Sequence, residues 1–175
     1  MGVPQQTEGG SAEYAQAEEY RQGAERPLGG YMFIMTVFAG VVGLAGGIAA
    51  LTGRGLPRQI APYDLALITV GTHKLSRTIS KDAVTSPLRA PFTRYVGTGG
   101  PAEVMEEVRG DALQHALGEL LTCPFCLDMW VATGFMIGML FAPRFTRVVA
   151  ATFTALAGAN FLHLFYARAQ QAAQG

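Results

Sequence analysis

Two groups of residues in this chain have side chains and spacings suited to chemistry. The first is Cys123-Pro124-Phe125-Cys126, which sets two thiols one turn apart where a helix is expected to begin. At a helix N-terminus, the dipole and unpaired N–H groups favour a thiolate. A proline between the cysteines fits a dithiol redox pair, although no thioredoxin-like strand–helix pattern surrounds it and a cytoplasmic face is reducing. Two thiolates at this spacing are also half of a tetrahedral zinc or iron–sulfur site. The chain has no other cysteine, so His73, His115 and Asp128 would have to complete such a site, or a second copy would have to supply Cys123 and Cys126 again. The third reading is structural: two small, soft side chains at a tight helix start, with Pro124 in the first turn.

The second group is basic. Lys81, Arg89 and Arg94 lie in a polar connector in which Pro87 and Pro91 force extended local geometry. Held near a bilayer, these cations would grip anionic lipid headgroups, each contributing about 1 kcal/mol. Alternatively they only fix topology. Asp82 is placed to pair with one of them or to end a helix, and Asp64 is either a costly carboxylate at membrane depth or a first-turn acid favoured by the dipole. There is no Ser-His-Asp ordering, phosphate-cradling glycine loop or H-E-x-x-H motif, and glycines at 97–100 read as a turn. With no complete catalytic set, a non-catalytic role in assembly or interaction leads, and a thiol-redox or metal-binding role is the alternative.

The elements that carry these residues follow from the distribution of charge. Half of the 175 residues are hydrophobic and 15% are charged, against roughly 25% in an ordinary soluble domain. The charges crowd into 8–26 and 74–111. A net charge of zero and the lack of a basic block interleaved with aromatics argue against a nucleic-acid partner. Residues 1–29 read as a disordered polar tail, with a short helix possible at 11–22. Residues 31–52 carry no charge and match the ~20 residues that cross ~30 Å of hydrocarbon, as an uncleaved first span. Gly43 and Gly47 give that span a face on which another helix can approach closely.

A second span is expected at 60–77, where Lys74 and Arg77 must snorkel or the segment must be re-entrant. Spans at 120–142 and 148–167 follow, the former with Gly134 and Gly138 as its small-residue row and Trp130 at headgroup level. Asn160 and His163, in the last span, are candidates for interhelical hydrogen bonds. The connector, 78–119, is expected to carry an amphipathic helix starting at Pro101 that lies along the membrane surface or packs on the other helices. Residues 169–175 form a short tail. The expected fold is all-α: a four-helix transmembrane bundle, residues 30–168, with one amphipathic cytoplasmic helix.

Four spans divide Lys and Arg unevenly. One side receives Arg21, Arg26, Lys74, Arg77, Lys81, Arg89, Arg94, Arg109 and Arg168, and the other only Arg54, Arg58, Arg144 and Arg147. The positive-inside rule then puts both termini and the connector in the cytoplasm.

The stretches THKLSRTISKDAVTSPLRAPF and ALGELLTCPFCLDMW, in that order, resemble a family of uncharacterised small bacterial membrane proteins, domain of unknown function family 1360. The resemblance runs from about residue 63 into the fourth span. The matching positions are His73, Arg77, Lys81, Asp82, Pro87, Arg89, Pro91, Cys123, Pro124, Cys126 and Trp130; Asp128 departs from the pattern, which there expects a small residue. It implies a bacterial membrane protein in which the two motifs belong together; the expected setting is the cytoplasmic membrane, and the expected partners are lipid and, through the small-residue faces, a second copy or another membrane protein. It implies no reaction.

Overall fold

The computed structural model describes residues 16, 18–20, 22, 26–57 and 59–174. Most of the expected N-terminal tail therefore lies outside the described residues, as do Arg21 and Arg58. Helix α1 (Leu28–Leu51) ends at a turn where Gly53 takes φ +67°, a conformation costly for any residue with a Cβ. Helix α2 (Pro62–Lys81) opens with proline at its first position and closes at Asp82, whose backbone is extended. A short 3₁₀ turn (Ala83–Thr85) and one turn of helix, α3 (Ser86–Arg89), lead into strand β1 (Thr93–Thr98). Strand β2 (Val104–Val108) pairs antiparallel with β1, with a bulge between Tyr95 and Gly97. Helices α4 (Ala112–Thr122), α5 (Pro124–Phe141) and α6 (Pro143–Gln174) complete the chain.

The hairpin corrects the expected all-α fold and the helix expected from Pro101. Val104, Glu106 and Val108 are half-buried while Met105 and Glu107 are exposed, the alternation of a strand. Val104 and Val108 are also four apart, so they suit a helical stripe equally well. The residue that decides between the two periods is Glu106, and its inward position makes sense only beside a buried cation. The helical part of the connector is confined to α4, which reaches Thr122. Pro124 then drives Cys123 to extended geometry (φ −100°, ψ 106°), so the expected span at 120–142 begins at Pro124.

Contacts among the long helices fix their directions. The start of α1 lies on α4, where a Cβ at Gly30 would come within 2.7 Å of both the Ala112 carbonyl oxygen and the Ala116 side chain. Farther along, Phe38 meets Trp130 edge to face. At its far end Arg54 stacks over the Phe141 ring and donates to the Leu140 and Phe141 carbonyls at 3.1 Å, capping the end of α5. Helices α1 and α5 thus run the same way. Helix α2 runs opposite, with Ser76 near its end bonded to Asp128 near the start of α5. Beside it α6 runs parallel, joined by Asp64–Arg147, by Thr154 to the Leu67 carbonyl and by Ile68 packed with Ala150. Both joints α1–α2 and α5–α6 therefore lie at one end of the bundle. The start of α1, the hairpin, α4 and the tail of α6 lie at the other.

Among the described residues three helices are long and apolar enough to cross a membrane: α1, α5 and α6. Helix α2, expected as the second span, does not meet that standard, because its charged and hydroxyl groups lower its hydropathy. Those groups are largely inside. Asp64, Thr72, Lys74, Ser76 and Ser80 are buried on α2, and Thr146 is buried on α6.

Candidate functional site

A concavity with several charged residues in its lining lies at the hairpin end of the bundle, between α2, the tip of the β1–β2 hairpin and α6. It encloses about 660 Å³, and its polar lining includes His73, Lys74, Arg77 and Asp82 from α2 and its cap, Glu103 from the hairpin, and Asn160 and His163 from α6. The sequence THKLSRTISKD supplies four of these. A helix repeats its face every three to four residues, so positions 73, 74 and 77 share a side and Asp82 closes the helix beneath them.

The hairpin is fastened under this end of α2 by backbone bonds. Ala83 N–H donates to the Ala102 carbonyl at 2.9 Å, and Asp82 bridges to Glu103. Glu103 then accepts both the Nε and an Nη of Arg77, at 2.8 and 2.9 Å, a bidentate pair. Lys74, only 8% exposed, donates to Asp82 at 3.4 Å. On the far side, with its amide turned so that the oxygen faces Lys74, Asn160 donates to the Leu156 carbonyl at 3.2 Å and accepts from Lys74 Nζ at 3.1 Å. Asn160 therefore makes the interhelical bond expected of it. His73 and His163 have no hydrogen-bond partner among the described residues.

Beneath the cavity, a second buried pair supports the hairpin. Arg89 is 0% exposed, and its Nε donates to Glu106 at 2.5 Å. Its remaining donors reach the Ile79 carbonyl at 2.5 Å, Thr85 Oγ1 at 2.7 Å and the Asp82 carbonyl at 3.1 Å. Arg89 thus caps the end of α2 and locks β2 to it. This corrects its assignment as a headgroup contact, since no part of the side chain reaches the surface. Of the other two expected headgroup cations, Arg94 is exposed on β1 opposite Glu107, and Lys81 is half-buried at the end of α2; neither lines the cavity.

The cysteines lie in a different cleft, about 870 Å³, between α1 and the α4–α5 junction. Cys123 is the N-cap of α5, its Sγ accepting the Cys126 N–H at 3.2 Å, and both thiols are free. Tyr31 donates to Glu119 in the same cleft, and Arg26 reaches Glu119 at 3.3 Å. The five residues considered for a metal are scattered. His115 pairs with Glu119 at 3.7 Å, Asp128 accepts from Ser76 at 2.5 Å and His73 lies in the other cavity. Among the described residues no three of His, Cys, Asp and Glu are grouped to hold a metal ion, so one chain does not assemble the zinc or iron–sulfur ligand set. The acid that departs from the family pattern, Asp128, has a partner of its own: Ser76, itself 1% exposed.

Of the small-residue rows, Gly138 packs on Thr146, whose Oγ1 would be 2.6 Å from an added Cβ. Gly43, Gly47 and Gly134 have open space instead. The close approach that the sequence reading missed is Gly71, where a Cβ would stand 3.1 Å from the Ala150 carbonyl oxygen on α6. A lone glycine in the short uncharged run Leu65–Thr72 gave no pattern to find it by.

A family model, described as Protein of unknown function (DUF1360), matches residues 67–166, more than half of the chain. The chain belongs to this family. The match begins within α2 and ends within α6, so it takes in the cavity, the hairpin, the Arg89–Glu106 pair and both cysteines, and leaves out α1. No curated protein and no solved structure matches.

Proposed function

We propose that this member of the family is an integral membrane protein with four spans, α1, α2, α5 and α6, acting by binding or assembly rather than by catalysis. The observation that carries the reading is an inverted distribution of side chains. Phe33, Met35, Leu44, Leu51, Phe145, Val148, Phe161 and Phe165 are exposed, whereas Asp64, Lys74, Ser76 and Ser80 are buried. In water each large apolar side chain left outside forgoes roughly 1.5–3 kcal/mol of burial. Against hydrocarbon the same surface carries no such penalty, and polar groups are then best kept inside and paired. Helix α2 fits as the fourth span because its carboxylate and ammonium meet Arg147, Asp82 and Asn160 instead of lipid.

The alternating directions of α1, α2, α5 and α6 support the same topology, with the hairpin, the start of α1 and the end of α6 on one side. That side carries most of the Lys and Arg, which argues for the cytoplasm of a bacterium. The open Gly43/Gly47 face of α1 supports association with a second copy or another membrane protein.

Single cysteines test the topology in a Cys123→Ser/Cys126→Ser background. Gly55→Cys and Arg144→Cys are expected to react with an impermeant maleimide from one side of sealed vesicles, and Thr98→Cys and Gln171→Cys from the other. Gly55→Cys and Thr98→Cys labelling from the same side would eliminate α2 as a span.

A further inference from the structure

We infer that the cavity between α2, the hairpin tip and α6 is a binding site for a phosphate group carried on an apolar chain. The argument is one of unmatched donors. Lys74 has three N–H donors, of which two are directed at Asp82 and Asn160. Arg77 has five, of which Glu103 takes two. His73 and His163 add two imidazoles with no partner among the described residues. On the acceptor side, each Glu103 oxygen accepts one Arg77 N–H and one Asp82 oxygen accepts from Lys74, so both carboxylates already face a cation. An occupant that brings several anionic acceptor oxygens in one compact group, as a phosphate ester does, matches the N–H groups of Arg77 and Lys74 that these carboxylates leave free.

The rest of the wall selects what the phosphate is attached to. Ala157, Phe161 and Leu164 line the α6 side, and Phe161 and Leu164 are also exposed on the outer face of the helix. About 660 Å³ accommodates a phosphate and a glycerol-sized group but not two long acyl chains. The chains would leave the cavity across Phe161 and Leu164. Free charge-assisted N–H groups beside one apolar wall thus describe a phospholipid headgroup site, and the shared chemistry with a water-soluble phosphate is the phosphate itself.

This inference goes beyond the topology, and its test does not depend on the number of spans. The full chain, delipidated in a neutral detergent, is titrated calorimetrically with dihexanoyl phosphatidylglycerol, with dihexanoylglycerol and with inorganic phosphate. Saturable binding of the phospholipid at one per chain is expected, with none of dihexanoylglycerol. The double variant His73→Ala/His163→Ala, which removes two side chains that hold no other element, is expected to weaken it about tenfold or more. Its elution and helix content serve as the folding check. Lys81→Gln/Arg94→Gln, outside the cavity, is expected to keep the wild-type affinity. Competition by inorganic phosphate at similar concentration would assign the site to soluble phosphates, and lack of competition would assign it to lipid. The inference is overturned if neither phosphate probe saturates, if dihexanoylglycerol binds equally, if the double histidine variant binds as wild type, or if Lys81→Gln/Arg94→Gln loses as much.

Discussion

Arg89 offers the sharpest test of how the hairpin is held. Replacing it with methionine leaves the Glu106 carboxylate, 6% exposed, with no counter-charge, and removes the donors from the Ile79 and Asp82 carbonyls. Breaking one side of a buried ion pair costs about 3–5 kcal/mol, against a total stability of about 5–15 kcal/mol for a domain. Glu106→Leu is expected to cost a similar amount, because it strands the guanidinium instead. In Arg89→Met/Glu106→Leu no charge is left stranded. Its cost is expected to fall to about 1–2 kcal/mol, set by the carbonyls that no longer have a donor. The cycle is read by denaturant unfolding in mild detergent, with amide exchange at β1 and β2 locating the loss. Single-variant costs that simply add, to within about 0.5 kcal/mol, would refute the claim that these two residues act as one buried unit. An Arg89→Met protein as stable as wild type would restore Arg89 to the list of surface cations.

Two further predictions concern packing. Gly71→Leu must push α2 away from the Ala150 backbone and is expected to cost about 1–3 kcal/mol in thermal unfolding. Gly43→Leu/Gly47→Leu meets open space within the chain, so stability should hold while any dimer seen by cross-linking in membranes is lost; unchanged cross-linking would remove α1 as an association face. Ser76→Ala leaves the half-buried Asp128 without its donor and is expected to destabilise by about 1–3 kcal/mol. Ser76→Ala/Asp128→Ala should recover part of that loss, and no recovery would show that the two do not act as a pair.

The long apolar runs determined α1, α5 and α6 directly, because hydropathy and length are properties of consecutive residues. Pro124 likewise announced the start of α5, since it restricts the residue before it whatever lies around. Charge asymmetry gave a sidedness, which the helix directions match. What the sequence left undecided depended on partners far away in the chain. Val-Met-Glu-Glu-Val suits a helix or a strand until Arg89, seventeen positions earlier, turns Glu106 inward. Arg89 itself reads as one cation among three until its donors are seen to be spent on Glu106 and on the end of α2. Asp64, Lys74 and Asp128 look too polar for a bilayer until Arg147, Asn160 and Ser76 are brought beside them from other helices. The cavity of His73, Lys74, Arg77 and His163 joins residues ninety positions apart, and only the parallel packing of α2 on α6 makes it one place. Local composition chose the helices, and the pairing of buried charge, a long-range property, decided how they are arranged and where a ligand can enter.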